Sequence, residues 1–90
     1  MIVHKNIRVK GKVQGVFYRA STADMARSLS LTGFVLNESE GSVYMEVEGD
    51  DETVVKMIEW ARKGPPRAIV DSVDVTDGAI VGFKKFEIQR

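Results

Sequence analysis

The sequence predicts an α+β fold of the split βαβ type, in which one antiparallel sheet is covered on a single face by two helices. Short segments that alternate apolar and polar residues with a period of two are typical of half-buried strands. Two longer segments carry apolar residues at helical spacing. Turn residues separate these segments, and the resulting order is β-α-β-β-α-β. Right-handed crossovers then place the third strand beside the first and both helices on one face.

The first strand is predicted where Val3, Ile7 and Val9 alternate with polar residues and face inward. His4, the only histidine, lies on the outward face of this strand, and we expect it at the surface. A single histidine cannot build a metal site. A turn at Gly15 leads from the strand into the first helix.

Both helices have recognisable ends. The first is predicted from Ala20 to Leu31, with Gly33 as a natural stop. The second begins at Asp50, a plausible N-cap, and ends at the Gly64–Pro66 segment. The predicted buried positions are Thr22, Met25, Ala26 and Leu29 in the first helix, and Val54, Met57, Ile58 and Ala61 in the second.

The remaining strands follow the same logic. Residues 34–36 form a short second strand, residues 37–41 form a hairpin loop, and the return strand has an alternating inward face. A fourth strand is predicted over Ile69–Thr76, and Phe83–Ile88 could add a short fifth strand at the edge. The inward positions of the return strand are Val43, Met45 and Val47.

Composition narrows the class of protein. Ninety residues predict a single domain over 1–90. Thirteen basic and thirteen acidic residues leave no net field for a polyanion, so we expect neither a nucleic-acid nor a membrane partner. The chain has no cysteine, its first residues contain no signal-like apolar run, and no segment approaches membrane-spanning length. A cytoplasmic monomer is the default expectation.

The segment from Gly11 to Arg19 carries the strongest functional signal. A strand runs into a glycine-containing turn, and an arginine stands where a helix begins. This order directs backbone N–H groups, a helix N-terminus and a guanidinium group toward one small volume, and all three favour an oxyanion such as phosphate. By spacing alone, the favoured reading of Gly15 is a turn glycine and that of Arg19 a solvated helix residue.

The same segment, read as Gly-Lys-Val-Gln-Gly-Val-Phe-Tyr-Arg, closely resembles the first signature of the acylphosphatase family. The stretch from Gly33 to Val43 resembles the second signature, which contains an asparagine and a glycine at the same spacing. The Gly64–Pro66 segment and the terminal Phe86–Ile88 segment also stand where the family keeps similar residues. Two motifs in register make the resemblance specific, and it covers nearly the whole chain.

The resemblance implies a ferredoxin-like sandwich that hydrolyses acyl phosphates to a carboxylate and inorganic phosphate, with no metal and no organic cofactor. It assigns phosphate binding and catalysis to Arg19, and orientation of the attacking water to Asn37. Without the motif, the favoured reading of Asn37 is a turn residue of the hairpin, and the motif reverses this preference. The resemblance also implies that backbone N–H groups of the phosphate loop bind substrate, at Gln14, Gly15, Val16, Phe17, Tyr18 and Arg19.

Two positions depart from the family pattern. Phe17 stands where many members have Gly or Cys, and Leu36 replaces a residue that is often polar or basic. Both positions bear on substrate preference. The main alternative is a non-catalytic anion-binding or regulatory module on the same fold. An RNA-binding sandwich is a weaker alternative, because it would need aromatic residues and a basic face on the middle strands.

Overall fold

The computed structural model describes residues 1–89, and it confirms the predicted split βαβ sandwich with a fifth strand. Both helices lie on the same face of one sheet and contact each other. The elements are β1 (Ile2–Lys12), α1 (Tyr18–Ser28), β2 (Thr32–Asn37), β3 (Val43–Asp50), α2 (Asp51–Ala61), β4 (Ile69–Asp77) and β5 (Phe86–Ile88). The strand order in the sheet is β4-β1-β3-β2-β5, so the third strand does lie beside the first.

The sheet is mixed, so the expectation of a fully antiparallel sheet is wrong for one strand. β1 to β4 pair in antiparallel fashion, whereas β5 is parallel to β2. The connection after β4 crosses to the opposite edge of the sheet before the chain turns back. β5 must therefore run opposite to β4, which is the direction of β2.

The core lies between the sheet and the helices. Residues at alternate strand positions face the helices because successive side chains point to opposite faces of a sheet. The fully buried apolar side chains of the strands and helices include Ile7, Val9, Val35, Val43, Met45, Val47, Tyr18, Ala23, Ala26, Val54, Met57 and Ala61.

The first helix lies slightly earlier in the chain than its apolar pattern predicts. It begins at Tyr18 and ends at Ser28. Ser30 then adopts a left-handed conformation with φ 58°, and the N–H of Leu31 donates to the carbonyl of Ala26 at 2.8 Å. This is the hydrogen-bond pattern of a helix closed by a left-handed residue. The serine, and not the predicted glycine, therefore stops the helix.

Gly33 has a different role, as a residue of β2. A Cβ atom at this position would lie 1.8 Å from the carbonyl oxygen of Glu46 on the neighbouring strand. The backbone has φ 138°, which side-chain-bearing residues rarely adopt. Glycine is required here by the close approach of two strands.

The expectation that His4 is a surface residue is wrong, because its side chain is only 2% exposed. The connection between β4 and β5 covers this end of the sheet's open face. Glu48 accepts hydrogen bonds from backbone N–H groups of that connection, including Gly82 at 3.0 Å and Phe83 at 3.2 Å, and the Phe83 ring stacks on His4. A long-range crossing, which local alternation cannot reveal, buries the histidine.

Candidate active site

The site lies at the end of the sheet where β1 and β2 have their C-terminal ends. Both strands are antiparallel to β3, so they run in the same direction and terminate at the same end of the sheet. Val9 of β1 and Asn37 of β2 pair with the same residue, Val43. Two inter-strand spacings place their backbones about 10 Å apart. Asn37 is the last residue of β2, so the prediction that it begins the hairpin loop is wrong by one position.

The loop between β1 and α1 has an unusual backbone. Gly15 has φ 74°, and Phe17, immediately before the helix, has φ 66°. No atom of the described residues outside the immediate neighbours lies within 4 Å of a Cβ placed on Gly15, so open space lies in front of this residue. The first turn of α1 contains no acidic residue. The loop therefore presents an open, left-handed turn next to the positive end of a helix dipole.

A cleft of about 350 Å³ opens beside this loop. Arg19, in the first turn of α1, and Asn37, at the end of β2, both line it. The Arg19 guanidinium also donates from Nη1 to the carbonyl oxygen of Gln89 at 3.2 Å, which ties it to the segment after β5. The lining residues are Val13, Gly15, Phe17, Tyr18, Arg19, Ala20, Asn37 and Ile88.

Two other residues of the predicted phosphate loop direct their side chains into the protein. Val16 is 5% exposed and packs in the core. The Tyr18 hydroxyl donates to the carbonyl oxygen of Ala61 at 2.6 Å, and burial raises the pKa of this phenol. Ala61 is the last residue of α2, so Tyr18 satisfies a carbonyl that the helix itself leaves without a partner. These side chains anchor the loop and the start of α1.

The Gln14 side chain connects the loop to the β2–β3 hairpin. Its Nε2 donates to the carbonyl oxygens of Glu38 at 2.7 Å and Ser42 at 2.9 Å. Arg8 grips the Glu38 carboxylate through two nitrogens, at 2.6 and 3.1 Å, and the Ser42 hydroxyl donates to the same group. The hydrogen bond from Arg8 is the main cause of the lowered pKa of Glu38. This network fixes the hairpin directly beside Asn37.

Sequence reasoning missed several parts of this arrangement. It did not identify Ile88 as a wall of the cleft, because the end of β5 lies at this end of the sheet only through its pairing with β2. It also missed the side-chain role of Gln14 and the Arg8–Glu38 pair. The adjacency of Glu38 to Asn37 was visible in the sequence, but the contact between β1 and the hairpin depends on strand register.

Among residues 1–89, no three His, Asp or Glu side chains converge as potential ligands of a metal ion. Neither helix in this part of the chain has the length and apolar character needed to cross a membrane.

In this α+β sandwich a left-handed loop, a helix start and an arginine border one cleft, and groups of these three kinds favour bound anions. Comparison with known proteins identifies the family. The acylphosphatase family model matches residues 5–88. An acylphosphatase of Methylococcus capsulatus is 45% identical over 86 residues, which cover 94% of each chain.

Solved structures agree with this match. An acylphosphatase from Coxiella burnetii is 34% identical, with a TM-score of 0.95 over 98% of this chain and 93% of that chain. The acylphosphatase from Bacillus subtilis is 30% identical, with a TM-score of 0.95 over 100% of both chains. The chain therefore belongs to the acylphosphatase family of enzymes.

Proposed function

We propose that the chain hydrolyses the carboxyl-phosphate bond of acyl phosphates, with Arg19 and the Gln14–Arg19 loop binding the phosphate and Asn37 orienting the water. The observation that best supports this assignment is that Arg19 and Asn37, which come from different elements, line one cleft with the left-handed loop. The proposal also includes a single monomeric domain over residues 1–90 that acts in the cytoplasm on a small-molecule substrate.

Binding of the phosphoryl group relies on fixed charges and dipoles. A cation in the first turn of a helix opposes the helix dipole and is mildly unfavourable when nothing is bound. A phosphate between the Arg19 guanidinium and the helix end removes this conflict and receives two kinds of positive charge. The planar guanidinium can also donate to two phosphate oxygens at once. The backbone N–H groups from Gly15 to Arg19 supply the remaining donors.

The chemistry then needs little more than positioning. An acyl phosphate has a carboxylate leaving group, so a strong general acid is unnecessary. The Asn37 carboxamide holds a water in line with the bond between phosphorus and the carboxyl oxygen. The water attacks phosphorus, the bond to the carboxylate breaks, and a proton of the water passes to a phosphate oxygen of the substrate.

A direct assay tests the reaction. Benzoyl phosphate hydrolysis should proceed in EDTA-treated buffer without added metal, and inorganic phosphate should inhibit it competitively. A protein that binds phosphate but shows no turnover would support the alternative, a non-catalytic anion-binding or regulatory module. Turnover that requires an added divalent cation would contradict the proposed mechanism.

A further inference from the structure

Phe17 combines two features that are unfavourable in a folded chain without a ligand. Its side chain is 74% exposed, although it is a large apolar residue. Its backbone has φ 66° and ψ 24°, a left-handed conformation that disfavours side-chain-bearing residues. Such strain persists where the surrounding structure imposes it, and it clusters at binding sites. The aromatic ring is therefore held in solvent by a loop that glycine would fit more easily.

The position of this ring is specific. Phe17 lines the same cleft as Arg19 and Asn37. Ile88, the last residue of β5, lines that cleft too, and it is another exposed apolar residue. The cleft thus combines two polar side chains suited to phosphate and water with two exposed apolar side chains that neither group needs.

We propose that Phe17 and Ile88 form the subsite for the acyl group and make the enzyme selective for acyl phosphates with an aromatic or extended apolar acyl group. This inference rests on the proposed function. The phosphate half is identical in every acyl phosphate, so contacts with Arg19 and the loop cannot discriminate among substrates. Discrimination must come from groups that contact the other half of the molecule. An exposed aromatic ring can stack on an aryl acyl group and remove both surfaces from water.

The test compares benzoyl phosphate with acetyl phosphate. The measured quantity is the ratio of the two kcat/KM values in wild type, Phe17→Gly and Ile88→Ala. Phe17 also belongs to the phosphate loop, but any change in phosphate binding affects both substrates and cancels in the ratio. We expect the preference for benzoyl phosphate to fall roughly five- to tenfold in Phe17→Gly, and less in Ile88→Ala.

Controls separate the subsite from general damage. Val55→Ala removes an exposed apolar side chain from α2, outside the cleft, and should leave the ratio unchanged. Phe17→Gly places glycine at a left-handed position, so its thermal midpoint should equal or exceed that of wild type. A ratio that stays constant in both cleft variants, or that changes equally in Val55→Ala, would overturn the subsite.

A binding measurement distinguishes failure of the subsite from failure of the proposed function. In phenylphosphonate and methylphosphonate a P–C bond replaces the P–O bond that is hydrolysed in an acyl phosphate. Their dissociation constants can therefore be compared without turnover. Wild type should bind phenylphosphonate more tightly, and Phe17→Gly should lose that preference. If wild type hydrolyses neither acyl phosphate, the proposed function fails, and the phosphonate ratio alone decides the subsite. Equal phosphonate ratios in wild type and Phe17→Gly would overturn it.

Discussion

The two ends of β1 use polar groups in opposite ways. At its beginning, His4 contacts the Glu48 carboxylate through Nδ1 at 2.6 Å, while its Nε2 lies 2.9 Å from both the Asn6 and Glu46 side-chain oxygens. At its far end, the chain enters the Gly15–Phe17 turn, which faces an open cleft. One end is closed by protein partners, and the other opens into a cleft.

The difference shows how to tell a structural polar cluster from a binding site. The histidine is buried and ionisable, which by itself resembles a functional residue. Its ring nitrogens, however, face protein oxygens, and Glu48 also holds the β4–β5 connection. In the loop at the other end, the backbone is left-handed at Gly15 and Phe17, and the aromatic ring of Phe17 is exposed. We infer that the first cluster maintains the fold and that the second region performs the chemistry.

The largest expected effect is on catalysis in Arg19→Ala. In the proposed mechanism its guanidinium neutralises phosphate in both the bound substrate and the transition state, so kcat should fall and the inhibition constant of phosphate should rise. A loss in kcat/KM of roughly 10³-fold or more is expected. Arg27→Ala is a matched control, because Arg27 lies on the same helix and donates to the carbonyl of Phe86. Equal losses in both variants would show that only helix anchoring is measured.

Asn37→Ala should lower turnover by about 10²–10³-fold, the effect of losing one preorganised hydrogen-bonding group. Phosphate inhibition should remain close to wild type, because in the proposed mechanism the carboxamide acts on the water. Asn6→Ala provides the comparison at the closed end of β1, where the amide contacts His4. Asn6→Ala should lower the unfolding temperature and leave kcat near wild type. Turnover like that of wild type in Asn37→Ala would exclude the proposed role.

Glu48→Gln should lower stability and spare catalysis, the opposite of the effects expected for Arg19→Ala and Asn37→Ala. It removes a buried charge that holds both His4 and the β4–β5 connection, so the free energy of unfolding should fall by about 2–4 kcal/mol. Denaturant titration measures this loss. At temperatures where the variant is folded, kcat should stay near wild type. A large loss of kcat with unchanged stability would reverse the assignment of the two ends.

Gln14→Ala tests the connection between loop and hairpin. It removes two hydrogen bonds to backbone carbonyls, and stability should fall by about 1–2 kcal/mol. Because the hairpin loses this connection, Asn37 should be displaced. We expect kcat to fall by a larger factor than the affinity for inhibitory phosphate. Gln14→Glu should be worse than alanine, because its carboxylate would face two carbonyl oxygens without a donor. Equal behaviour of the two variants would argue against this contact as a positioning element.

The smallest effect concerns pH. Burial opposes protonation of His4, but hydrogen bonds with Glu48 and Asn6 and the nearby charge of Glu46 outweigh it and raise the pKa above its ordinary value of 6.5. A raised pKa stabilises the fold fully below pH 6.5, and this contribution disappears as the pH rises through the higher value. Because the chain has one histidine, its NMR signal reports this pKa directly.

The pKa of Glu48 shifts in the opposite direction and affects stability at acidic pH. Burial disfavours the Glu48 carboxylate, but hydrogen bonds from Val81 and His4 lower its pKa below the ordinary 4.5. The contribution of Glu48 to stability is present above pH 4.5 and is lost as the pH falls.

The loss of the His4 contribution should lower the unfolding temperature of wild type above pH 6.5, and this part of the decline should be weaker in His4→Gln. A histidine pKa at or below 6.5 would contradict the arrangement.

Local sequence patterns predicted the elements well, because periodicity reports which face of a strand or helix is buried. The spacing of Val54, Met57 and Ala61 located the buried face of α2, and these residues are buried. The same reasoning failed for His4, since alternation assigns a face of the sheet but cannot say whether another segment covers that face. It also failed for the direction of β5, which depends on a crossing between distant edges.

By itself, the sequence determined the order of the elements, the family, and the residue types available at the loop and at Asn37, because these depend on neighbouring residues and short motifs. Only the tertiary structure decided that Asn37, Ile88 and Arg19 line one cleft and that His4 is enclosed. Strand direction and register bring together residues dozens of positions apart, and no local pattern encodes such distances.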